Sequence, residues 1–155
     1  MIRDQRFVAV HRGGPLTLEH HRLLIHWARK CVLHVLPLLE DTVDERLTHA
    51  LETAEAWAQG KVSVGAAMQA AYQCHAAARD AVTPPATLVA RAVGQMVATA
   101  HMADHSLGAA WYALKAVNAV GRSIEDERGW QNEQFPLEIR ELVLSARQNQ
   151  RFVRV

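Results

Sequence analysis

The chain has 155 residues, of which 50% are hydrophobic and 21% are charged, a length and balance typical of one globular domain with its own core. Its 17 basic and 16 acidic side chains give a formal charge of +1, which excludes the basic surplus of nucleic-acid-binding proteins and the polybasic stretch of membrane-surface proteins. No apolar run is long enough to span a bilayer, and the N-terminus lacks the apolar core of a secretory signal. Cys31 and Cys74 fall in apolar helical patterns outside any C-x-x-C pair, so we interpret them as reduced core residues of a cytoplasmic protein.

The first predicted element is an extended arm or loop over residues 1–15, where the weak alternation of RFVAVHR stops at GGP. Thr17 is a suitable N-cap for a first helix that runs to about Leu36, and Pro37 ends that helix. The apolar residues of this helix recur at helical spacing, and His20 falls on the same inner stripe.

Two alanine-rich helices follow. One is predicted from about Val43 to Ala58, with Gly60 as its C-terminal stop, and the next from about Ser63 to Ala81, with His75 on its inner face. Alanine has the highest helix propensity, and its small side chain lets helix axes approach closely. These residues leave two arrangements open, packing within one bundle or burial at a homodimer interface between two copies of the chain.

From Pro85 to Val120 one apolar stripe stays in phase, which predicts either one long helix or two helices that meet near Asp104–Ser106. One uncapped helix of that length is unusual in a small domain. We therefore favour the junction, with Asp104 as the cap of the second helix. A short helix and loop over residues 123–135 then precede a last helix from Pro136 to about Asn149.

Over the whole chain the pattern predicts an all-α fold in one domain, residues 1–155. It is a bundle of five to seven helices with a short extended N-terminal arm over residues 1–15. No strand pattern of any length follows residue 15, and neither a solenoid repeat nor a low-complexity linker stands out.

The stretch HMADH places His101, Asp104 and His105 at spacings of three and four, which brings the side chains to one face of a helix. Imidazoles and carboxylates bind divalent metals, so one interpretation is a metal-binding helical protein or a metal-dependent hydrolase, completed by His20 or His75. The other is a polar network between packed helices. We favour the network, because a short His/Asp spacing is a weak motif, and we expect no cofactor.

A third hypothesis from the histidines is a ligand-binding helical module with a pocket near His20, His75 and His101. The sequence contains no P-loop, no dinucleotide fingerprint and no G-x-S-x-G elbow. We therefore assign no catalytic residue and expect a protein that is not an enzyme.

Acidic residues concentrate in the segment LLEDTVDERLTHALETAEAW, which holds a single arginine. An acidic helix face can steer and orient a basic partner protein, whereas the alternative is a solvated helix exterior. The residues predicted to contact a partner are Asp41, Asp44, Glu45, Glu52 and Glu55.

Four ordered segments resemble a known family. They are RFVAVHRGGPLTLEHHRLLIHWARKCVLHVLPLLE, ALETAEAWAQGKVSVGAAMQAAYQCHAAARDA, ATAHMADHSLGAAWYALKAV and QFPLEIRELVL. From about Arg6 to Leu144 the chain is similar to the Imm-5-like group of immunity proteins from bacterial polymorphic toxin systems.

The resemblance implies an all-α cytoplasmic protein that binds and neutralises a cognate toxin domain, and it carries over no catalytic residues. It therefore favours a non-enzymatic protein whose partner is a toxin. An acidic helix face would suit a toxin with a basic surface, such as a nuclease.

Overall fold

The structure is a computed structural model that describes residues 3–155, and over that range the chain forms eight α-helices and no strand. The helices are α1 (Leu18–Val35), α2 (Glu45–Ala58), α3 (Val64–Asp80), α4 (Pro84–Ala98), α5 (His105–Ala119), α6 (Ile124–Asn132), α7 (Leu137–Ala146) and α8 (Gln150–Val153). The all-α class is confirmed, whereas the expected number of five to seven helices is wrong. The extra helix is the four-residue α8, which begins where the Asn149 side chain accepts a hydrogen bond from the backbone of Arg151.

Capping residues set most helix boundaries where the sequence predicts them. The side chain of Thr17 accepts a hydrogen bond from the backbone N–H of His20 at the start of α1, and Ser63 does the same for Ala66 at the start of α3. Gly60 ends α2 with a φ of 73°, a left-handed conformation that glycine adopts without strain.

The favoured junction between two helices is confirmed, because α4 ends at Ala98 and α5 begins at His105. Asp104 occupies the N-cap position of α5, yet its side chain makes no capping hydrogen bond. Its backbone is already helical, with φ −68° and ψ −13°, whereas a capping residue normally has extended backbone. The carboxylate instead pairs with the Nε of Arg3 at 3.3 Å, so the predicted cap is wrong.

Helix α4 is the central element, because it packs against α1, α2, α3 and α5. The main core lies among these five helices, and small side chains such as Ala92, Ala109 and Ala113 are completely buried within it. Small residues at such contacts let the helix axes approach closely. Of the helices in the described range, none is both long and apolar enough to cross a bilayer.

A second core joins the N-terminal segment to α1 and α7 through Phe7, Leu16, Trp27 and Ile139. Of the two predicted forms of this segment, the extended arm is wrong over residues 3–15 and the loop is the one observed. That segment forms two 3₁₀ turns, and one parallel bridge joins Ala9 to Leu16. Local hydrogen bonds favour the turns, since the Asp4 side chain caps the first of them. Residues 1–2 of the predicted arm lie outside the described residues.

Candidate functional site

His101 and Asp104 have separate partners from the N-terminal segment. The Arg12 guanidinium lies 3.4 Å from Nδ1 of His101, and the Arg3 Nε lies 3.3 Å from the Asp104 carboxylate. Because each side chain is oriented by a different arginine, the two groups serve to hold the N-terminal segment against the α4–α5 junction.

His105 points toward α4, where its Nδ1 donates a hydrogen bond to Oε1 of Gln95 at 2.8 Å. The pair fits because residue 108 is a glycine, since a Cβ added there would lie 2.6 Å from that same oxygen. A cavity of about 360 Å³ borders Asp104 and His105. Within residues 3–155, no group of three or more His, Cys, Asp and Glu side chains is arranged to hold a metal ion.

The two remaining histidines of the predicted cluster lie on other helices. His75 accepts a hydrogen bond from Nη1 of Arg91 at 2.8 Å. His20 is only half-buried, and its neighbour His21 is the buried one, with 3% of its surface exposed. His21 donates from Nε2 to the carbonyl of Thr99 at 2.6 Å. The inward position predicted for His20 is therefore wrong, and the adjacent residue, His21, occupies it.

The histidines make stability depend on pH. Burial is the largest cause that lowers the pKa of four of them: His21, His75, His101 and His105. Neighbouring guanidinium groups, Arg91 beside His75 and Arg12 beside His101, lower the pKa further. A histidine whose pKa is lower in the folded chain binds its proton more weakly there than in the unfolded chain.

We therefore expect the melting temperature to be constant above about pH 7 and to fall as the pH drops to about 5. The stability that these neutral histidines allow is fully present above the unfolded pKa of 6.5, and it is lost as the pH falls below that value. Thermal denaturation followed by circular dichroism at stepped pH measures the effect. A melting temperature that stays level or rises between pH 7 and 5 would contradict the role of these histidines.

Three of the predicted contact residues, Glu45, Glu52 and Glu55, form a line along α2 that we call the acidic stripe. Their spacings of seven and three place them on one face of the helix. Glu45 and Glu52 are exposed, and neither forms an ion pair with another residue in the described range. Glu55 accepts a hydrogen bond from Gln59 at 2.8 Å and lies 3.7 Å from Nδ1 of His26.

Asp41 and Asp44 precede the acidic stripe and differ from it. Asp44 is the N-cap of α2, and hydrogen bonds from Arg46 are the largest cause that lowers the pKa of its carboxyl. Arg46 also pairs with Asp80 of α3 at 3.0 Å. Asp44 therefore has a structural role as well as a charge, whereas Asp41 is an exposed carboxylate in the loop before the helix.

Both aspartates line a cavity of about 480 Å³ that we call the acidic cleft. It lies between the segment 38–44, the α3–α4 turn and the end of α5. Glu40 and Asp80 are its other acidic residues. The cleft was not predicted from the sequence, because its walls come from three distant segments with no common periodicity. The only local signal is the acidic composition of residues 40–45.

The chain matches a known family model over most of its length. The model described as "Imm-5 like putative immunity protein" matches residues 14–138, which contain α1 to α6 and the acidic stripe. No curated protein and no solved structure matches the chain.

Proposed function

Because the chain belongs to the Imm-5-like family of immunity proteins, we propose that it neutralises a cognate bacterial toxin domain by binding to it. In this proposal the chain covers the working surface of the toxin and performs no chemistry of its own. The acidic stripe is the observation that supports a toxin-binding surface on this chain. Glu45 and Glu52 are exposed there, and no described residue neutralises their charge.

The acidic stripe is a preorganised binding surface, because the helix that carries it is already fixed in the fold. Leu47 and Trp57, on the opposite face of α2, are buried in the main core, so the helix loses little conformational freedom when a partner docks. Unpaired carboxylates raise the rate of encounter with a basic surface and fix its orientation.

We propose a toxin with a basic working surface, and a nuclease is the class that fits best. A nuclease attracts the phosphate backbone of its substrate with lysine and arginine side chains. A row of carboxylates is complementary to such a surface and would compete with the nucleic acid for it.

The test is a titration of the purified toxin domain with this chain, in which the residual activity of the toxin is measured at each step. We expect activity to fall linearly and to end at about one equivalent of the chain, because a tight stoichiometric inhibitor is consumed as it binds. Loss of activity at a small fraction of an equivalent would show a catalytic inactivation and would contradict the proposal. Bovine serum albumin at the same concentrations is the control for nonspecific protection.

A further inference from the structure

The acidic cleft joins an apolar floor to an acidic rim. Its floor includes Leu38, Leu39 and Leu47, and Ala86 and Ala90 of α4 complete it. A volume of about 480 Å³ lies within the range of pockets that hold a small ligand, so it has room for one long side chain.

The charges around the cleft are predominantly negative. Glu40 and Asp41 form no ion pair with any residue of the described range, whereas Asp44 and Asp80 share the guanidinium of Arg46. None of the described residues that line the cleft carries a positive charge. A cation that enters the cleft would therefore meet two uncompensated carboxylates.

Two valines that line the same cleft are exposed to solvent. Val82, in the turn between α3 and α4, has 95% of its surface exposed, and Val120, at the end of α5, has 39%. Together with the floor, they extend the apolar surface to the mouth of the cleft, where an apolar stem can lie against it. A group that is complementary to both the acidic rim and the apolar floor has a positively charged head and an apolar stem.

We propose that the acidic cleft receives one arginine or lysine side chain of the toxin. The aliphatic stem lies against the floor and the two valines, and the charged head lies at the rim near Glu40 and Asp41. Basic side chains bury their stems along apolar surfaces in this way while their charge stays near water or a counter-ion. This inference rests on the proposed function and adds the side chain that anchors the complex.

The cleft itself is tested with n-butylguanidinium as the probe, by recording amide chemical shifts of the ¹⁵N-labelled chain. We expect saturable shifts confined to residues 38–44, 80–86 and the end of α5. N-butylurea has the same shape without the charge and should cause no saturable shift. The double variant Glu40→Gln/Asp41→Asn should bind the probe at least roughly threefold more weakly, and Glu138→Gln on α7 is the matched control with unchanged binding.

Shifts that do not saturate, that spread over the surface, or that are equal for the urea would overturn the proposal. A second measurement separates the cleft from the proposed function, namely toxin affinity by calorimetry for the wild-type chain and for Glu40→Gln/Asp41→Asn. We expect the variant to bind the toxin about tenfold more weakly. If both bind equally, the anchor is wrong and the immunity function stands. If the wild-type chain binds no toxin, both proposals fail.

Discussion

Replacing Gln131 by leucine is expected to lower the free energy of unfolding by roughly 2–4 kcal/mol, since it leaves buried polar groups without partners. Gln131 of α6 is completely buried. Its Nε2 donates to the carbonyl of Ala110 at 3.1 Å, and its Oε1 accepts from Nη2 of Arg147 at 2.5 Å. Leucine has a similar volume, so the loss would report the hydrogen bonds rather than a cavity.

The size of this effect depends on Arg147. No carboxylate of the described residues pairs with its guanidinium, which is held by the amide oxygens of Gln131 and Asn132 and lies 5.5 Å from the ring of Trp27. Burial lowers the pKa of Arg147 to about 10, so the group is still charged at neutral pH. The amide dipoles replace water around this charge, and leucine would remove one of them.

Urea unfolding followed by circular dichroism measures the loss. Gln73→Leu is the control, because Gln73 is exposed on α3 and its replacement should change stability by no more than about 0.5 kcal/mol. A decrease below about 1 kcal/mol for Gln131→Leu would mean that Arg147 finds other partners without cost.

Replacing Gly14 by alanine is expected to destabilise the chain by about 1–3 kcal/mol through overpacking. A Cβ at this position would lie 2.1 Å from the carbonyl oxygen of Val8, which is backbone and cannot rotate away. The N–H of Gly14 also donates to the carbonyl of Ala9 at 3.0 Å, so the loop has little freedom to shift. Its movement would disturb Phe7 and Leu16 in the second core.

Gly129→Ala provides the opposite control. Gly129 lies within α6, and a Cβ there would meet nothing within 4 Å. Alanine should therefore stabilise that helix by about 0.5–1 kcal/mol. Thermal denaturation of both variants measures the two changes in melting temperature, which we expect to be a decrease for Gly14→Ala and an increase for Gly129→Ala. Equal melting temperatures for Gly14→Ala and the wild-type chain would show that the N-terminal segment does not contribute to the cooperative fold.

The helices could be predicted because their signals are local. Thr17 and Ser63 cap α1 and α3 as expected. The apolar stripe that stays in phase after Pro85 predicts α4 and α5. The buried surface of α1 was predicted only in part, because this helix lies between two cores. Leu24 and Trp27 pack into the second core, whereas Ile25 and its neighbours pack into the main one. A single predicted stripe could not describe both faces, and His21 was missed.

The candidate site was predictable only where it follows one helix. The acidic stripe has helical spacing, so its shared face could be read from the sequence. The spacing of His101, Asp104 and His105 did not fix their partners, because residues 99–104 form the turn between two helices rather than one continuous helix. The acidic cleft depends on tertiary packing, which brings Asp41 and Val82 to the same cavity.

The most direct test of the proposed toxin-binding surface compares two pairs of charge reversals in their affinity for the toxin domain. Glu45→Lys/Glu52→Lys reverses the acidic stripe. Glu138→Lys/Glu141→Lys reverses two exposed carboxylates of α7, one in the first turn and one in the middle of that helix.

We expect the stripe variant to bind at least about tenfold more weakly, with the loss largest at low salt, because its lysines would repel a basic partner. The α7 variant should bind as the wild-type chain does. Equal affinities for the stripe variant and the wild-type chain, with both proteins folded, would contradict the claim that α2 presents the toxin-binding surface.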